Sequence, residues 1–235
     1  IGHLVRLGVP AWSILALTFT NKAAAEMRER VGVLLEGAEP GDAGYDPRRT
    51  RGLTVATFHS LCARLLRRYA DDPALPTLKP DFTIYDTSDQ VALMKRTIKD
   101  LNMDTSNWNP RSVLNAISGA KNELQDADAY AAEALDFYSK QIARIYSSYE
   151  RSMQSAGAVD FDDLLLLTAR LLRKSDTARA ELRDRWQYLL IDEYQDTNRA
   201  QFEIAALLAG EAGKDGRGEK GPNFCVVGDP DQSIY

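Results

Sequence analysis

The sequence predicts an α/β protein, a mostly parallel sheet interrupted by a long all-helical insertion. Three observations carry that expectation. Four short apolar runs read as strands, and the first three each lead into a helical pattern. At all four, polar chemistry gathers just past the carboxyl end, where open α/β sheets bind ligands. Between the second and third runs lie over a hundred residues whose apolar positions follow a helical period.

The elements follow in order. "IGHLVRLG" reads as the tail of a helix, ended by Gly8–Pro10. Ile14 to Phe19 form a strand and Ala23 to Leu35 a helix rich in strong helix formers, with Thr20 or Asn21 as its N-cap. A polar Gly/Pro-rich loop, 36–52, follows. Strand 53–58 then leads into a helix from Ser60 to about Ala70. Helices are expected over 87–101, 109–124, 134–153 and 161–174. The third repeats at Leu135, Tyr138, Ile142, Ile145 and Tyr149, and Asn109–Pro110 suits a helix entry. The helix 161–174 is expected to pack against the sheet. Strand 188–192 with a helix near 198–209, and a last strand 224–228, complete the pattern, with right-handed crossovers. The implied domains are 1–77 and 159–235 as two parts of one α/β domain, and 78–158 as its helical insertion.

Composition narrows the function classes. The 235 residues carry a formal charge of −5, from 29 basic and 34 acidic side chains. That balance does not advertise a nucleic-acid binder, yet it leaves room for a local track. Arg48, Arg49, Arg51, Arg64, Arg67 and Arg68 form either such a patch or a solvated helix face beside a charged loop. No apolar stretch approaches the roughly 18 residues of a membrane span, and "IGHLVRLGVP" lacks a secretory pattern. A cytoplasmic protein without a membrane partner is expected. Cys62 and Cys225 sit far apart in apolar settings, which suits buried free thiols in a reducing compartment. Two histidines and two distant cysteines disfavour structural zinc.

The strand ends hold the chemistry. In "LLIDEYQDTN" an aspartate, Asp192, can hold Mg²⁺ largely through water, and Glu193 can orient and activate an attacking water. Such a pair also suits a solvated strand end. Gln195 behind it can read a neighbouring site, and Asp196/Thr197 can cap the next helix. "VVGDPDQSIY" adds Asp229, Gln232, able to bond a phosphate oxygen or the attacking water, and Tyr235, able to stack on a base. Alternatively it is a turn with a core tyrosine. "LTFTNKAAAEM" and "TFHSLCARLLRR" both begin Thr–Phe and present small polar groups at a helix N-terminus, which favours phosphate. A phosphate cradle of the form G-x-x-x-x-G-K-[ST] is missing from the 235 residues. "GEAGKDGRGEKG" (210–221) imitates it, but Asp215 stands where Ser or Thr is needed, so it reads as a surface insertion.

Together these segments resemble the first RecA-like domain of superfamily 1A DNA helicases, the UvrD/PcrA/Rep family. "ILALTFTNKAAAEMRERV", "TVATFHSLCARLLRR", "LLIDEYQDTNRAQ" and "CVVGDPDQSIY" are similar to its motifs Ia, Ib, II and the start of III. "ISGAKNEL" and "VDFDDLLLLT" resemble further family segments, and the likeness runs along essentially the whole chain in the family's order. The resemblance implies a RecA-like P-loop NTPase sheet with an inserted helical subdomain. It also implies ATP and Mg²⁺ as cofactors and single-stranded DNA and its duplex junctions as partners, with repair proteins as further partners. ATP hydrolysis would drive 3′→5′ translocation and duplex separation. Thr18, Phe19, Asn21, Thr57, Phe58, His59, Ser60 and Tyr235 would line the DNA track. Asp192 would help hold Mg²⁺, Glu193 would be the catalytic base, and Gln232 would sense the nucleotide phosphate, with Gln195 and Asp229 in coupling.

The rival classes are a RecB- or AddA-like helicase–nuclease and a non-catalytic interaction module that lost its P-loop. Neither end reads as a natural boundary, so the chain is expected to be a piece of a longer protein. Alone, it is expected to show no DNA-stimulated ATPase; ATP turnover abolished by Glu193→Gln in the isolated chain would contradict this.

Overall fold

The computed structural model describes residues 1–36, 50–210, 223–229 and 231. In chain order the elements are α1 (Gly2–Arg6), β1 (Ile14–Thr18), α2 (Asn21–Glu36), β2 (Thr54–Thr57), α3 (Phe58–Arg68), β3 (Thr83–Ile84), α4 (Thr87–Asp100) and α5 (Pro110–Asn122). They continue with α6 (Ala127–Glu133), α7 (Phe137–Ser155), β4 (Ala158–Val159), α8 (Phe161–Lys174), α9 (Asp176–Arg185), β5 (Tyr188–Ile191), α10 (Arg199–Ala209) and β6 (Asn223–Val226). Two compact units emerge. One gathers the described residues of 1–61, 176–197 and 205–235, the other those of 62–175 and 198–204.

The first unit is a parallel four-stranded sheet in the order β2-β1-β5-β6. The predicted α/β class and all four predicted strands are present. Strands β1 and β2 are buried along their full length, as sheets covered on both faces require. Ala16 and Val55 pack with Ala24 of α2, flanked by Met27 and Leu190. Thr20 caps α2, its hydroxyl accepting the Ala23 N–H at 3.0 Å. Cys225 departs from expectation, for it is exposed while Cys62 is buried. The apolar flanks suggested a core position, but β6 is an edge strand, paired only with β5 among the described residues, and exposed throughout.

The second unit is mainly helical. Met94 and Ile98 of α4, Val113 and Ile117 of α5, and Ile142, Ile145, Tyr146 and Tyr149 of α7 form its core. The helix expected over 134–153 is α7, which begins only at Phe137, and a separate short helix that went unread, α6, ends at Glu133 before it. Ala134 is extended, and Asp136 caps α7 by accepting the Ser139 N–H at 3.0 Å. Leu135, expected on the apolar stripe, falls between the two helices at 84% exposure. The parallel pair β3–β4 went unread, since two residues a side carry no period. Helix α9, in the first unit, also went unread, for its "DTARAELRDR" buries only Ala178 and Leu182. Burial pushes the Cys62 thiol up to about 12, which makes it an inert core residue. No described helix is long and apolar enough to cross a membrane.

One buried charge cluster joins three of these helices. Lys121 of α5 is wholly buried, with its Nζ at 2.8 Å from Glu150 of α7, 2.8 Å from Asp160 and 2.6 Å from Asp163. Asp160 and Asp163 form a reciprocal capping box at the start of α8. The Tyr149 hydroxyl donates to Asp160 at 3.3 Å. Burial alone would lower the Lys121 ammonium, but Asp163, Asp160 and Glu150 outweigh it and hold it well above the lysine range.

Candidate functional site

Because β1, β2, β5 and β6 are parallel, their carboxyl ends share one edge of the sheet. The register brings Thr18 beside Thr57, and Leu17 and Ile191 into one row with Val226. The described candidate residues Thr18, Phe19, Asn21, Thr57, Phe58, His59, Ser60, Asp192, Glu193, Gln195 and Asp229 all lie at or just past these strand ends in the first unit. Gln232 and Tyr235 lie outside the described residues, as do Arg48, Arg49 and almost all of the glycine-rich 210–221.

The two Thr–Phe turns meet through their rings. Phe19 and Phe58 pack edge-to-face, with centroids 6.2 Å apart. Phe58 is 1% exposed, so it supports Phe19, which is half-buried. Thr57 and Ser60 close the start of α3 on each other. The Ser60 N–H donates to the Thr57 hydroxyl at 3.2 Å, and the Thr57 N–H donates to the Ser60 hydroxyl at 3.1 Å. Asn21 is exposed and His59 half-exposed. The Thr18 hydroxyl is buried and makes no hydrogen bond to a described residue, which leaves it an unmet polar group at the strand end.

At the end of β5, the Asp192 N–H donates to the Leu17 carbonyl at 3.0 Å, locking that backbone beside β1. The Asp192 carboxylate accepts the Glu193 N–H at 3.2 Å. Glu193 itself turns left-handed, with φ 54° and ψ 41°, a conformation uncommon for any side chain outside Asn, Asp and Gly. Its carboxylate is exposed and accepts the Gln195 side-chain N–H at 2.5 Å. The Gln195 carbonyl oxygen in turn accepts the Asp229 N–H at 3.0 Å. Beyond the strands the β5–β6 ladder continues, with the Tyr194 N–H donating to Val227 O at 2.9 Å.

One sequence expectation needs revision here. Asp196 and Thr197 do not cap α10. Asn198 does, its side chain accepting the Gln201 N–H at 2.9 Å while Gln201 accepts the Asn198 N–H at 3.2 Å. The helix begins only at Arg199, because Tyr194–Asp196 turn as a short 3-10 segment that presents Gln195. Gly228 is the residue the motif reading overlooked. A Cβ there would stand 2.8 Å from the Gln195 side-chain oxygen and 3.3 Å from the Gln195 backbone nitrogen. Close approach of two loops explains that glycine, and a glycine two residues past the end of β6 was the available signal.

No group of three or more His, Cys, Asp or Glu side chains could hold a metal ion among the described residues.

The chain matches the family described as UvrD/REP helicase N-terminal domain over residues 1–235. It is 44% identical over 236 residues to the ATP-dependent DNA helicase PcrA of Leuconostoc citreum, covering 100% of this chain and 29% of that protein. It is 39% identical over 227 residues to the protein of that name from Bacillus subtilis, covering 97% of this chain and 28% of the relative. The chain thus spans less than a third of the curated relatives it matches.

Proposed function

The chain belongs to the UvrD/REP helicase family through its N-terminal domain, and from that premise we propose that it is part of the motor of an ATP-dependent 3′→5′ DNA helicase. The observation that carries this is the convergence of two Thr–Phe turns and one acidic turn on the same edge of a parallel sheet. Phe19, backed by Phe58, supplies an aromatic face for a base, and Asn21 and His59 stand beside the helix starts to bond backbone oxygens. Asp192 would hold Mg²⁺ together with ATP oxygens and water. When bound, the ion supplies charge neutralisation at the phosphates. Glu193 holds the proton taken from the attacking water. Gln232 and Tyr235 retain the phosphate-sensing and base-stacking roles that the family resemblance implies. The proposed organisation takes 1–77 and 159–235 as the motor domain and 78–158 as its insertion; its support is that all four strands of the main sheet fall in the first and α4 to α7 in the second, although 62–77 and 159–175 cluster with the helical unit.

Binding of labelled single-stranded oligonucleotide to the chain, followed by fluorescence anisotropy, tests this function. Affinity is expected to fall linearly on logarithmic axes as salt rises, because counterions are released when phosphates are neutralised. Phe19→Ala is expected to weaken binding by about 1–3 kcal/mol, the worth of one base–aromatic stack. Salt-independent binding, or wild-type affinity in Phe19→Ala, would contradict the assigned DNA track.

A further inference from the structure

We infer that Gln195 is a positioning residue that ties the Glu193 carboxylate to the loop following β6, so that movement of that loop registers at the water-activating group. This rests on the role proposed for Glu193.

Three observations converge on it. The Gln195 amide makes two bonds of opposite sense, donating to Glu193 at 2.5 Å and accepting from the Asp229 N–H at 3.0 Å. A primary amide presents a donor and an acceptor side by side, whereas a carboxylate can only accept. Gly228 lets the loop come close enough for this, as a Cβ there would crowd both the amide oxygen and the Gln195 and Tyr194 backbone nitrogens. Glu193 leaves the strand in a left-handed turn, so its carboxylate direction depends on partners outside its own strand. Asp229, whose N–H donates to Gln195, also accepts the Asp231 N–H through its carboxylate at 3.0 Å. The amide is thus a two-way link between β5 and β6 at their functional ends.

The test uses the full-length protein containing this chain and measures DNA-stimulated ATP turnover for Gln195→Glu, Gln195→Ala and Gly228→Ala. Gln195→Glu is the decisive variant, because it keeps the acceptor for Asp229 and loses the donor to Glu193. Both Gln195 variants are expected to lose about 10–100-fold in kcat, the usual cost of removing an orienting partner. KM for ATP is expected to stay unchanged, since binding is not what the amide serves. Gly228→Ala is expected to lower kcat in the same way by displacing the amide. Wild-type kcat in Gln195→Glu would overturn the inference, as would a loss confined to KM. Glu193→Gln, run alongside, separates the two levels. If it retains turnover, the role of Glu193 itself fails; if it abolishes turnover while Gln195→Glu is unaffected, only the positioning role fails.

Discussion

Replacing Lys121 with methionine is expected to destabilise the helical unit by about 3–5 kcal/mol, the cost of leaving buried charge uncompensated. The ammonium nitrogen lies within 2.8 Å of three carboxyl groups, on α7 and at the start of α8. Methionine fills comparable volume but leaves Asp160, Asp163 and Glu150 facing one another. Chemical denaturation should therefore show a lower midpoint at nearly unchanged slope. Asp163→Asn should be far milder, costing about 1 kcal/mol, in line with the loss of one hydrogen bond. Burial pushes the Asp163 carboxyl well up, with Asp160 and Glu150 adding to the rise and Lys121 opposing it. A group raised in the folded state binds its proton more tightly there than in the unfolded chain. Its stabilising contribution is complete below the unfolded carboxylate range and is lost as pH rises towards its folded value. In Asp163→Asn that part of the pH dependence should vanish. Equal destabilisation by Lys121→Met and Asp163→Asn would refute the view that ammonium loss is the dominant effect.

That cluster also shows how far the sequence could be read. Lys121 follows Val113 and Ile117 at helical spacing, so a lysine on the core face of α5 was visible in "ISGAKNEL". Its partners were not, because Asp160 lies 39 residues away and no local pattern joins them. The strands of the sheet were legible for the opposite reason, since each is a contiguous apolar run bounded by polar residues. Their order, β2-β1-β5-β6, depends on pairings across the insertion and had to be seen.

The site divides along the same line. Asp192 and Glu193 were readable from their place after β5, as were the two Thr–Phe turns after β1 and β2. What Phe58, Thr57 and Ser60 do was less readable. A phenylalanine at a strand end can face a ligand or a neighbour, and burial decides for Phe58. Thr57 and Ser60 hold each other, so their side chains shape the start of α3. The Gln195 link depends on a left-handed residue and a glycine in another strand's loop, and neither leaves a local signature.

Glu193→Gln is expected to lower DNA-stimulated ATP turnover by roughly 10²–10⁴-fold in the full-length protein that contains this chain, the range for loss of a general base. The substitution preserves shape, so ATP and single-stranded DNA should still bind with near-normal affinity. The geometry explains why this carboxylate is the one to remove. Asp192 is half-buried, with its backbone bonded to β1 and one oxygen turned to the Glu193 N–H. Glu193 is exposed, directed away from the strand by its left-handed turn, and oriented by the Gln195 amide. The first suits a fixed ligand to a hydrated cation, the second a base that must meet water. Single-turnover assays at saturating ATP and Mg²⁺ check the chemical step apart from binding and release. Strand separation should fall in parallel, because no other step of the proposed cycle supplies energy. Turnover within a few-fold of wild type would reassign Glu193 to the solvated end of β5 and move the base elsewhere.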